Sequence, residues 1–255
     1  MRLDKYLTEK GFTSRTKAAR AIEKGLVTVN GKAAKASLEV TESDCVCVRN
    51  EEVNFVSEGG YKLFKALGDF GDEVAGMVFA DIGASTGGFT DCLLQAGAAR
   101  VFAVDVGESQ LDARLASDSR VTIMDRTNAR YLTDGDFSPQ PDGLTADVSF
   151  ISLCLILPAA SKIVRPGGRA YVLIKPQFEC GAAHLDKHGI VKDAFARLAA
   201  VQKVCECAER EGFSLEAITN APLHKEKNVE YILKLGKGGG SLPIDRILQR
   251  AEQLT

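Results

Sequence analysis

Two ionisable side chains, Asp147 and Lys175, each follow an apolar run that predicts a buried strand. Lys175 closes a run of tyrosine, valine, leucine and isoleucine, so we expect its ammonium group to be partly desolvated, which lowers the pKa of a lysine. A lysine in that environment can act as a general base. Because neighbouring strands end at one edge of a sheet, we expect Asp147 to lie beside Lys175.

A glycine-rich turn follows the predicted strand 78–82 and precedes a predicted helix over 89–96. Glycines let a ligand approach the backbone closely, and the start of a helix offers free N–H groups. The GxxxGG spacing differs from the GxGxxG of dinucleotide sites, and no lysine followed by Ser or Thr marks a P-loop. The turn therefore indicates a nucleoside cofactor. It consists of Gly83, Ala84, Ser85, Thr86, Gly87 and Gly88, with Phe89 after it.

Three aspartates distinguish between nucleoside cofactors. Asp105 lies 18 residues after Gly87, at the end of the next predicted strand, where a carboxylate can accept both ribose hydroxyls. Asp81 precedes the glycines and suits the ammonium or sulfonium end of S-adenosylmethionine, whereas it would repel a pyrophosphate. Asp125 follows the third strand and can accept from an adenine amino group. The alternatives are a capping role for Asp81 and ordinary loop positions for Asp105 and Asp125. The occurrence of all three aspartates at the ends of successive predicted strands nevertheless favours S-adenosylmethionine.

The elements around these residues alternate between strand and helix, which predicts a parallel, doubly wound α/β sheet. Two further strands near the C-terminus have little between them and are expected to form a hairpin at one sheet edge. A glycine-rich joint at 236–240 precedes a terminal amphipathic helix. The predicted strands are 78–82, 101–106, 121–124, 144–150, 169–174, 215–219 and 229–235, and the helices are 89–96, 152–164, 192–210 and 244–254.

The N-terminal segment differs from the rest in charge. The first 50 residues carry 10 Lys and Arg against 6 Asp and Glu, a net +4, whereas the remaining residues carry −6. We predict helices over 2–10 and 15–24, a strand at 27–29, a hairpin turn at Asn30-Gly31 and a closing strand at 45–48. A small basic module on an acidic body indicates a polyanion partner, although a basic helix is by itself also typical of a solvated face.

This segment resembles the alpha-L ("S four") RNA-binding domain. The resemblance rests on Arg2-Leu3-Asp4-Lys5, on Ser14-Arg15-Thr16-Lys17-Ala18-Ala19, and on Gly25-x-Val27-x-Val29-Asn30-Gly31. It implies that the basic second helix and the turn after it bind structured RNA through shape and phosphate contacts. The residues implied in RNA binding are Arg2, Lys5, Arg15, Lys17, Arg20, Lys24 and Asn30.

Residues 57–235 resemble the FtsJ/RrmJ ribose 2′-O-methyltransferases, and the whole chain resembles the TlyA family, whose members also carry the name hemolysin. The matching strings begin at Gly59, Asp81, Asp125, Asp147, Lys175 and Asn228. The resemblance implies a Rossmann-like methyltransferase with a seven-stranded, mostly parallel sheet after a small α+β RNA-binding domain. It also implies methyl transfer from S-adenosylmethionine to a ribose 2′-OH, with a cytidine in ribosomal RNA as the expected substrate.

The resemblance gives roles to individual residues. Lys62, Asp147, Lys175 and Glu230 match a catalytic tetrad, although Lys62 and Glu230 alone would be interpreted as surface charges. No metal is needed for this reaction. Glu58 departs from the pattern, since a basic residue is expected there, and this puts one phosphate contact in doubt. The cofactor-binding residues implied are Asp81, Gly83, Ala84, Ser85, Gly87, Gly88, Phe89, Asp105, Val106, Asp125, Asn128 and Asp147.

The remaining features favour an ordinary globular protein of the cytoplasm. The stretch 148–161 is too short and polar to span a membrane, and the N-terminus has no signal-peptide pattern. The seven cysteines include no CxxC pair and are expected to be free thiols. Cys180, His184 and His188 have helical spacing for zinc, but Gly181 and Gly189 favour a mobile loop over the active site.

We predict four regions: an RNA-binding domain over 1–50, a linker over 51–57, a methyltransferase domain over 58–237, and a joint with a C-terminal helix over 238–255. The expected partner is ribosomal RNA or a ribosomal subunit, and the sequence leaves the oligomeric state open. Two other functions are weighed: a non-catalytic RNA-binding assembly factor, and a membrane-active hemolysin. The complete tetrad disfavours the first, and the lack of an apolar span or a strongly cationic amphipathic helix disfavours the second.

Overall fold

The fold is known from a computed structural model that describes residues 1–10, 12, 14–23, 27–41, 44–48, 54–223 and 227–254. It divides into two compact units, Met1–Asn54 and Phe55–Thr255. Residues 51–53 of the predicted linker lie outside the described residues. Gly11, Lys24 and Gly25 lie outside them as well.

The first unit packs two helices on a three-stranded antiparallel sheet of order β2-β1-β3. Asn30 and Gly31 both have positive φ, 52° and 75°, as the predicted tight hairpin turn requires. The first unit has its own hydrophobic core, which includes Leu3, Leu7 and Val27. The elements are α1 (Leu3–Glu9), α2 (Arg15–Glu23), β1 (Val27–Val29), β2 (Lys32–Ala33) and β3 (Val46–Val48).

The second unit is built on a seven-stranded sheet of order β6-β5-β4-β7-β8-β10-β9. The first five strands in this order are parallel, and β10 is antiparallel to both of its neighbours, so the predicted hairpin forms one edge of the sheet. The strands are β4 (Val78–Ile82), β5 (Arg100–Val104), β6 (Val121–Met124), β7 (Gly143–Ala146), β8 (Arg169–Ile174), β9 (Ser214–Asn220) and β10 (Tyr231–Gly236).

Helices cover both faces of this sheet, because alternate residues of the strands point to opposite sides. Phe79 and Tyr171 pack with α3 and α4 on one face. Ile82 and Val172 pack with α6, α8 and α9 on the other. The helices are α3 (Glu58–Phe70), α4 (Gly88–Gln95), α5 (Ala113–Ala116), α6 (Leu157–Ile163), α7 (Pro176–Glu179), α8 (Ala194–Arg210) and α9 (Ile244–Glu252).

The structure differs from two predicted elements. The strand predicted over 144–150 ends at Ala146, and Phe150 adopts a positive φ of 61° that no strand contains. The helix predicted over 152–164 is divided, because Ser152 caps a short 3₁₀ turn before α6 begins at Leu157. Both differences leave residues 147–152 as an irregular loop at the strand end.

The prediction of free thiols is wrong for two cysteines. Cys154 and Cys207 form a disulfide, with Cα atoms 5.6 Å apart. The contact arises because α8 packs over the 3₁₀ turn Leu153–Leu155, which brings together residues 53 positions apart in the chain. Cys45, Cys47, Cys92, Cys180 and Cys205 are free.

Candidate active site

The ends of the parallel strands bring four of the predicted site residues to one edge of the sheet. The register of β4, β5 and β6 places Gly83, Asp105 and Asp125 directly after three strand ends, at the same level. Asp147 directly follows β7, whose last residue pairs with the last residue of β4. This is the edge at which open α/β sheets bind their ligands.

Lys175 follows β8 and has only 8% of its surface exposed. Its Nζ lies 2.6 Å from Oδ1 of Asp147 and donates a hydrogen bond of 2.8 Å to Oγ of Ser149. The ring of Phe178 lies beside the same ammonium group, with its centroid 5.9 Å from Nζ. A buried ammonium group needs a carboxylate partner, so the Asp147 side chain holds Lys175 in one position.

Lys62 and Glu230 form a second ion pair. Nζ of Lys62, on α3, donates to Oε2 of Glu230 at 2.6 Å, and both side chains are largely buried. Nε2 of Gln177 donates to the other carboxylate oxygen at 3.5 Å. The antiparallel pairing of β10 with β8 places Glu230, which directly precedes β10, across from Lys175, which directly follows β8, so the two ion pairs meet at neighbouring strand ends. The four residues of the predicted tetrad thus form two ion pairs.

Two clefts meet these ion pairs. A small cleft of about 180 Å³ is lined by the turn 83–86 and by Gly88, Phe89, Asp147, Ser149 and Lys175. A larger cleft of about 960 Å³ is lined by Lys62, Gln177, Glu230 and the loop 186–192. The helix α3 contributes Gly59 to the first and Lys62 to the second, so the clefts adjoin along it.

The glycines of the turn are required by its conformation. Gly83 and Gly87 have positive φ values of 79° and 95°, and a Cβ on Gly83 would lie 2.7 Å from the carbonyl oxygen of Asp147. Ser85 has a positive φ as well, and its N–H donates to Oδ2 of Asp105 at 2.9 Å. The turn is therefore fixed against the ends of two neighbouring strands, with its backbone lining the small cleft.

The role predicted for Asp81 needs correction. Its side chain is fully buried, and its two oxygens accept hydrogen bonds from the hydroxyls of Thr90, at 2.7 Å, and Thr145, at 2.8 Å. Burial raises the pKa of Asp81 to about 6, although the two hydroxyls favour the ionised form. A carboxylate without exposed surface cannot contact a cofactor ammonium group directly. Asp81 instead joins β4 to α4 and β7 beneath the small cleft.

The other carboxylates of the predicted cofactor site are partly exposed. The two oxygens of Asp105 accept from the N–H groups of Ser85 and Gly107, and one oxygen of Asp125 accepts from the N–H of Ser109 at 2.9 Å. A carboxylate has about four lone-pair positions, so both retain capacity for ligand hydroxyl or amino groups. Val106 is 72% exposed beside them.

Asn128 begins the 3₁₀ turn Ala129–Tyr131. Its Oδ1 accepts from the N–H of Arg130 at 3.2 Å. The amide oxygen therefore caps the turn, and its amide nitrogen is the group with which Asn128 can contact a ligand.

Asn228 connects the loop over the larger cleft to Glu230. Its Oδ1 accepts from the N–H of Val191 at 2.8 Å, and its Nδ2 donates to the carbonyl of Gly189 at 2.9 Å. Asp186 stabilises the same loop, because the backbone N–H of Ile190, the Lys192 side chain and a further backbone N–H lower the pKa of Asp186 to about 2. The predicted loop over the active site thus has a fixed connection to the segment before β10.

Glu58, which departs from the family pattern, begins α3. Its Oε2 accepts from Nζ of Lys227 at 2.8 Å, at the edge of the larger cleft. The carboxylate of Glu58 is therefore paired with a lysine of the protein itself.

The predicted RNA-binding residues of the first unit have unequal surroundings. Arg2 and Arg15 both pair with Asp4, which is 5% exposed, at 3.1 and 2.8 Å, and their guanidinium groups lower the pKa of Asp4. Lys5 is exposed on α1. The side chain of Asn30 donates to Asp44 and accepts from the N–H of Cys45, so it stabilises the hairpin turn.

The other three predicted RNA-binding residues belong to the segment 17–24. Lys17 and Arg20 lie on α2, and Lys24 lies outside the described residues.

Several residues of the site were not predicted from the sequence. Ser149 and Gln177 contact Lys175 and Glu230, and Thr90 and Thr145 hold Asp81. Ser149 and Gln177 each lie two residues after a predicted catalytic residue, which was the available signal. The two threonines come from separate elements, and nothing in their local sequence distinguishes them.

Neither a metal centre nor a membrane span is found among the described residues. No group of three or more His, Cys, Asp or Glu side chains is arranged to hold a metal ion, so Cys180, His184 and His188 do not converge. Gly181 and Gly189 have positive φ values of 81° and 75°, and the segment is a loop with a short 3₁₀ turn. None of the described helices has the length and apolar character needed to cross a membrane.

Known families match both units. The FtsJ-like methyltransferase family matches residues 55–237, and the S4 domain, another name for the alpha-L domain, matches residues 1–46. The two matches cover the seven-stranded sheet with both clefts and the small α+β unit that precedes it in the chain.

Similar proteins match over nearly the whole chain. A 16S/23S rRNA (cytidine-2′-O)-methyltransferase TlyA from Mycobacterium tuberculosis is 40% identical over 238 residues, which cover 92% of this chain and 89% of that protein. Hemolysin A from Brachyspira hyodysenteriae is 39% identical over 240 residues, 91% of this chain and 98% of that protein. A solved structure of a candidate hemolysin from Streptococcus thermophilus has 37% identity and a TM-score of 0.73, covering 99% of this chain and 96% of that one. The chain therefore belongs to the TlyA family of FtsJ-like methyltransferases.

Proposed function

We propose that the chain is an S-adenosylmethionine-dependent methyltransferase that methylates the ribose 2′-OH of a cytidine in ribosomal RNA. The observation that carries the proposal is the Lys175–Asp147 ion pair, with 2.6 Å between Nζ and Oδ1, whose two residues line the small cleft together with the glycine-rich turn. The named activity of the Mycobacterium tuberculosis relative, rRNA (cytidine-2′-O)-methylation, supports the same reaction. We expect the enzyme to work in the cytoplasm, where ribosomes are assembled.

The donor groups around the small cleft fit S-adenosylmethionine. Asp147 offers a carboxylate to a cationic group, and the backbone of the turn 83–86 lines the cleft. Asp105 and Asp125, at the next two strand ends, can accept from ribose hydroxyls and an adenine amino group. When bound, S-adenosylmethionine would supply an electrophilic methyl group, because the positively charged sulfonium sulfur that carries this methyl is a good leaving group.

Lys175 is proposed as the general base. In its neutral amine form it would accept the proton of the ribose 2′-OH as that oxygen attacks. Asp147 then stabilises the ammonium group that forms, and the hydrogen bond to Ser149 keeps Nζ in one position. The main contribution of these residues is alignment, because a positioned hydroxyl reacts far faster than a free one.

Lys62 and Glu230 are proposed to organise the side of the site that receives RNA. Their ion pair borders the larger cleft, next to the strand end that carries Lys175. A volume of about 960 Å³ suits a nucleotide taken out of its stack. Phe150, with 91% of its surface exposed and its ring 5.0 Å from that of Phe178, offers an aromatic surface on which a base can stack.

The first unit is proposed to bind ribosomal RNA. Its match to the S4 domain and its net positive charge both support this role. Arg2, Lys5 and Arg15 are exposed and can contact phosphates, and we retain Lys17, Arg20 and Lys24 as candidates on the second helix and directly after it.

The test is transfer of labelled methyl to purified ribosomal subunits, followed by alkaline hydrolysis, which cannot cleave after a 2′-O-methylated ribose. Label in an alkali-resistant dinucleotide would support the proposal, and label on a base would contradict it. If the protein binds S-adenosylmethionine and RNA but transfers nothing, the alternative of a non-catalytic assembly factor is favoured. Because one relative is named hemolysin A, leakage from phospholipid vesicles is measured with the same preparation, and leakage would favour that activity.

A further inference from the structure

Glu179 is a buried carboxylate that the proposed mechanism does not use. Its side chain has only 1% of its surface exposed. Oε1 accepts from the backbone N–H of Leu153 at 2.7 Å, and Oε2 accepts from the hydroxyl of Ser152 at 2.6 Å. Nζ of Lys203 donates to Oε2 as well, at 3.0 Å. These three donors compensate the burial of the carboxylate and hold the side chain of Glu179 in one position.

Two of these donors lie where the loop 147–152 ends. The start of the loop is attached to β4, because the N–H of Asp147 donates to the carbonyl of Ile82 at 3.0 Å. Between the two ends, residues 148–151 make no backbone–backbone hydrogen bond within the described part of the chain. The position of the loop therefore depends on the side chain of Glu179 at its second end.

The same loop carries the groups that hold the proposed base. Oδ1 of Asp147 lies 2.6 Å from Nζ of Lys175, and Oγ of Ser149 accepts a hydrogen bond from that Nζ at 2.8 Å. Glu179 lies on the segment that follows Lys175, four residues later, at the end of α7. Its carboxylate therefore connects the loop to the segment that carries the base.

The helix α8 supports this connection. Nζ of Lys203, on α8, donates to the backbone carbonyl of Glu179 at 3.1 Å in addition to its contact with the carboxylate. The disulfide between Cys154 and Cys207 joins the residue after Leu153 to the same helix. Glu179 thus attaches the loop to a part of the protein that is itself fixed in the core.

We propose that Glu179 is a positioning residue for methyl transfer, because it keeps the Asp147 carboxylate and the Ser149 hydroxyl in contact with Nζ of Lys175. With almost no exposed surface, Glu179 acts through these groups and contacts neither RNA nor cofactor itself. A misplacement of about 1 Å in an active site costs about 100-fold in rate. The inference rests on the proposed function and adds the residue on which the alignment of its base depends.

The first measurement is the rate of single-turnover methyl transfer at saturating S-adenosylmethionine and ribosomal subunits. We expect Glu179→Met to lower this rate by about 30- to 100-fold, because all three hydrogen bonds of the side chain are lost. Glu179→Gln keeps an acceptor for the N–H of Leu153, so we expect a loss of only about 3- to 10-fold. In a Ser149→Ala background, Glu179→Met should slow transfer by a smaller factor than in the wild type, because one of the contacts that it maintains is already absent.

The matched control is Asp72→Asn. Asp72 is also a largely buried carboxylate that accepts from three side chains, those of Arg169, Tyr171 and Lys234. It contacts the first residue of β8, however, whereas Lys175 follows the last. We expect Asp72→Asn to lower the midpoint of thermal unfolding as Glu179→Gln does, and to transfer methyl at the wild-type rate below that midpoint.

A second measurement does not depend on methyl transfer. Acylation of lysines by an amine-reactive ester, mapped by mass spectrometry, reports access to Nζ of Lys175, a residue that is 8% exposed. If Glu179 holds the loop, Lys175 should react several-fold faster in Glu179→Met than in wild type or Asp72→Asn, whereas the reaction of Lys62 should not change.

Either a wild-type transfer rate or unchanged acylation of Lys175 in a folded Glu179→Met protein would overturn the inference. Asp72→Asn slowed as much as Glu179→Gln would also overturn it, since any loss of stability would then have the same effect. If Glu179→Met does not fold, the same measurements on Glu179→Gln decide. If the wild-type protein methylates no ribose, the proposed function fails, and the acylation rates alone decide whether Glu179 holds the loop against Lys175.

Discussion

Nζ of Lys62 lies 2.6 Å from Oε2 of Glu230, joining α3 to the start of β10 across 168 positions of the chain. The pair is largely buried, so removal of one partner leaves the other without its counter-charge. We expect Lys62→Met and Glu230→Gln each to lower kcat by about 10- to 100-fold, and the double variant to be no slower than the slower single variant. Single-turnover methyl transfer by the four proteins measures this coupling, and independent, multiplying losses would contradict it.

Burial of Asp81 predicts a pH dependence of stability. The pKa is raised to about 6 in the folded protein, so this group's contribution to stability is fully present below its unfolded pKa and is lost as the pH rises through about 6. Asp81→Asn removes the titration. Between pH 4 and 7, the free energy of unfolding of this variant should gain about 2 to 3 kcal/mol relative to wild type. Urea titrations at several pH values measure the difference, and a constant difference would refute the account.

Phe150 combines exposure with a strained backbone. It is 91% exposed with φ of 61°, a conformation that is unfavourable for a bulky residue. Phe150→Gly should raise the free energy of unfolding by about 1 kcal/mol and increase KM for ribosomal subunits by about 10-fold or more, through loss of base stacking. Phe195→Ala, at a residue 82% exposed on α8, is the matched control and should leave KM unchanged. A Phe150→Gly enzyme with unchanged KM would show that no base stacks there.

Close packing of α3 on α4 depends on Gly88. A Cβ at this position would lie 2.3 Å from Oγ of Ser57 and 2.8 Å from the backbone nitrogen of Gly60. We expect Gly88→Ala to lower the free energy of unfolding by about 1 to 3 kcal/mol, because the two helices must separate. In Gly68→Ala the new methyl meets nothing within 4 Å, and the higher helix propensity of alanine should add about 0.5 to 1 kcal/mol. Thermal unfolding of both variants checks the prediction. Equal changes in stability for the two variants would contradict it.

The sequence predicts the strands of the sheet better than the details of the site. The bounds of β4, β6 and β8 agree with those predicted, because these are short, mostly apolar runs with turn residues next to them. The hairpin at Asn30-Gly31 forms because both residues accept positive φ. The helix α3 was not predicted, since Gly59 and Gly60 are poor helix formers.

The presence of a glycine at position 60 is explained by a tertiary contact, which no local sequence pattern reveals. Its missing Cβ would lie 2.2 Å from the ring of Phe55. The partners of Asp81 and of Cys154 are likewise set by packing between distant segments, so their surroundings could not be predicted. Lys175 and Asp147 could be predicted as neighbours because each directly follows one of two adjacent parallel strands.

The central claim is that Lys175 accepts the proton of a ribose 2′-OH. It is tested most directly by measuring methyl transfer to purified ribosomal subunits with the wild-type protein, with Lys175→Ala and with a control variant. The control is Lys162→Ala, because Lys162 is an exposed lysine of α6. We predict alkali-resistant label on one ribose with wild type and the control, and a loss of at least about 100-fold in Lys175→Ala, while its binding of S-adenosylmethionine and RNA is retained. Transfer by Lys175→Ala at the wild-type rate, or wild-type label on a base, would contradict the account.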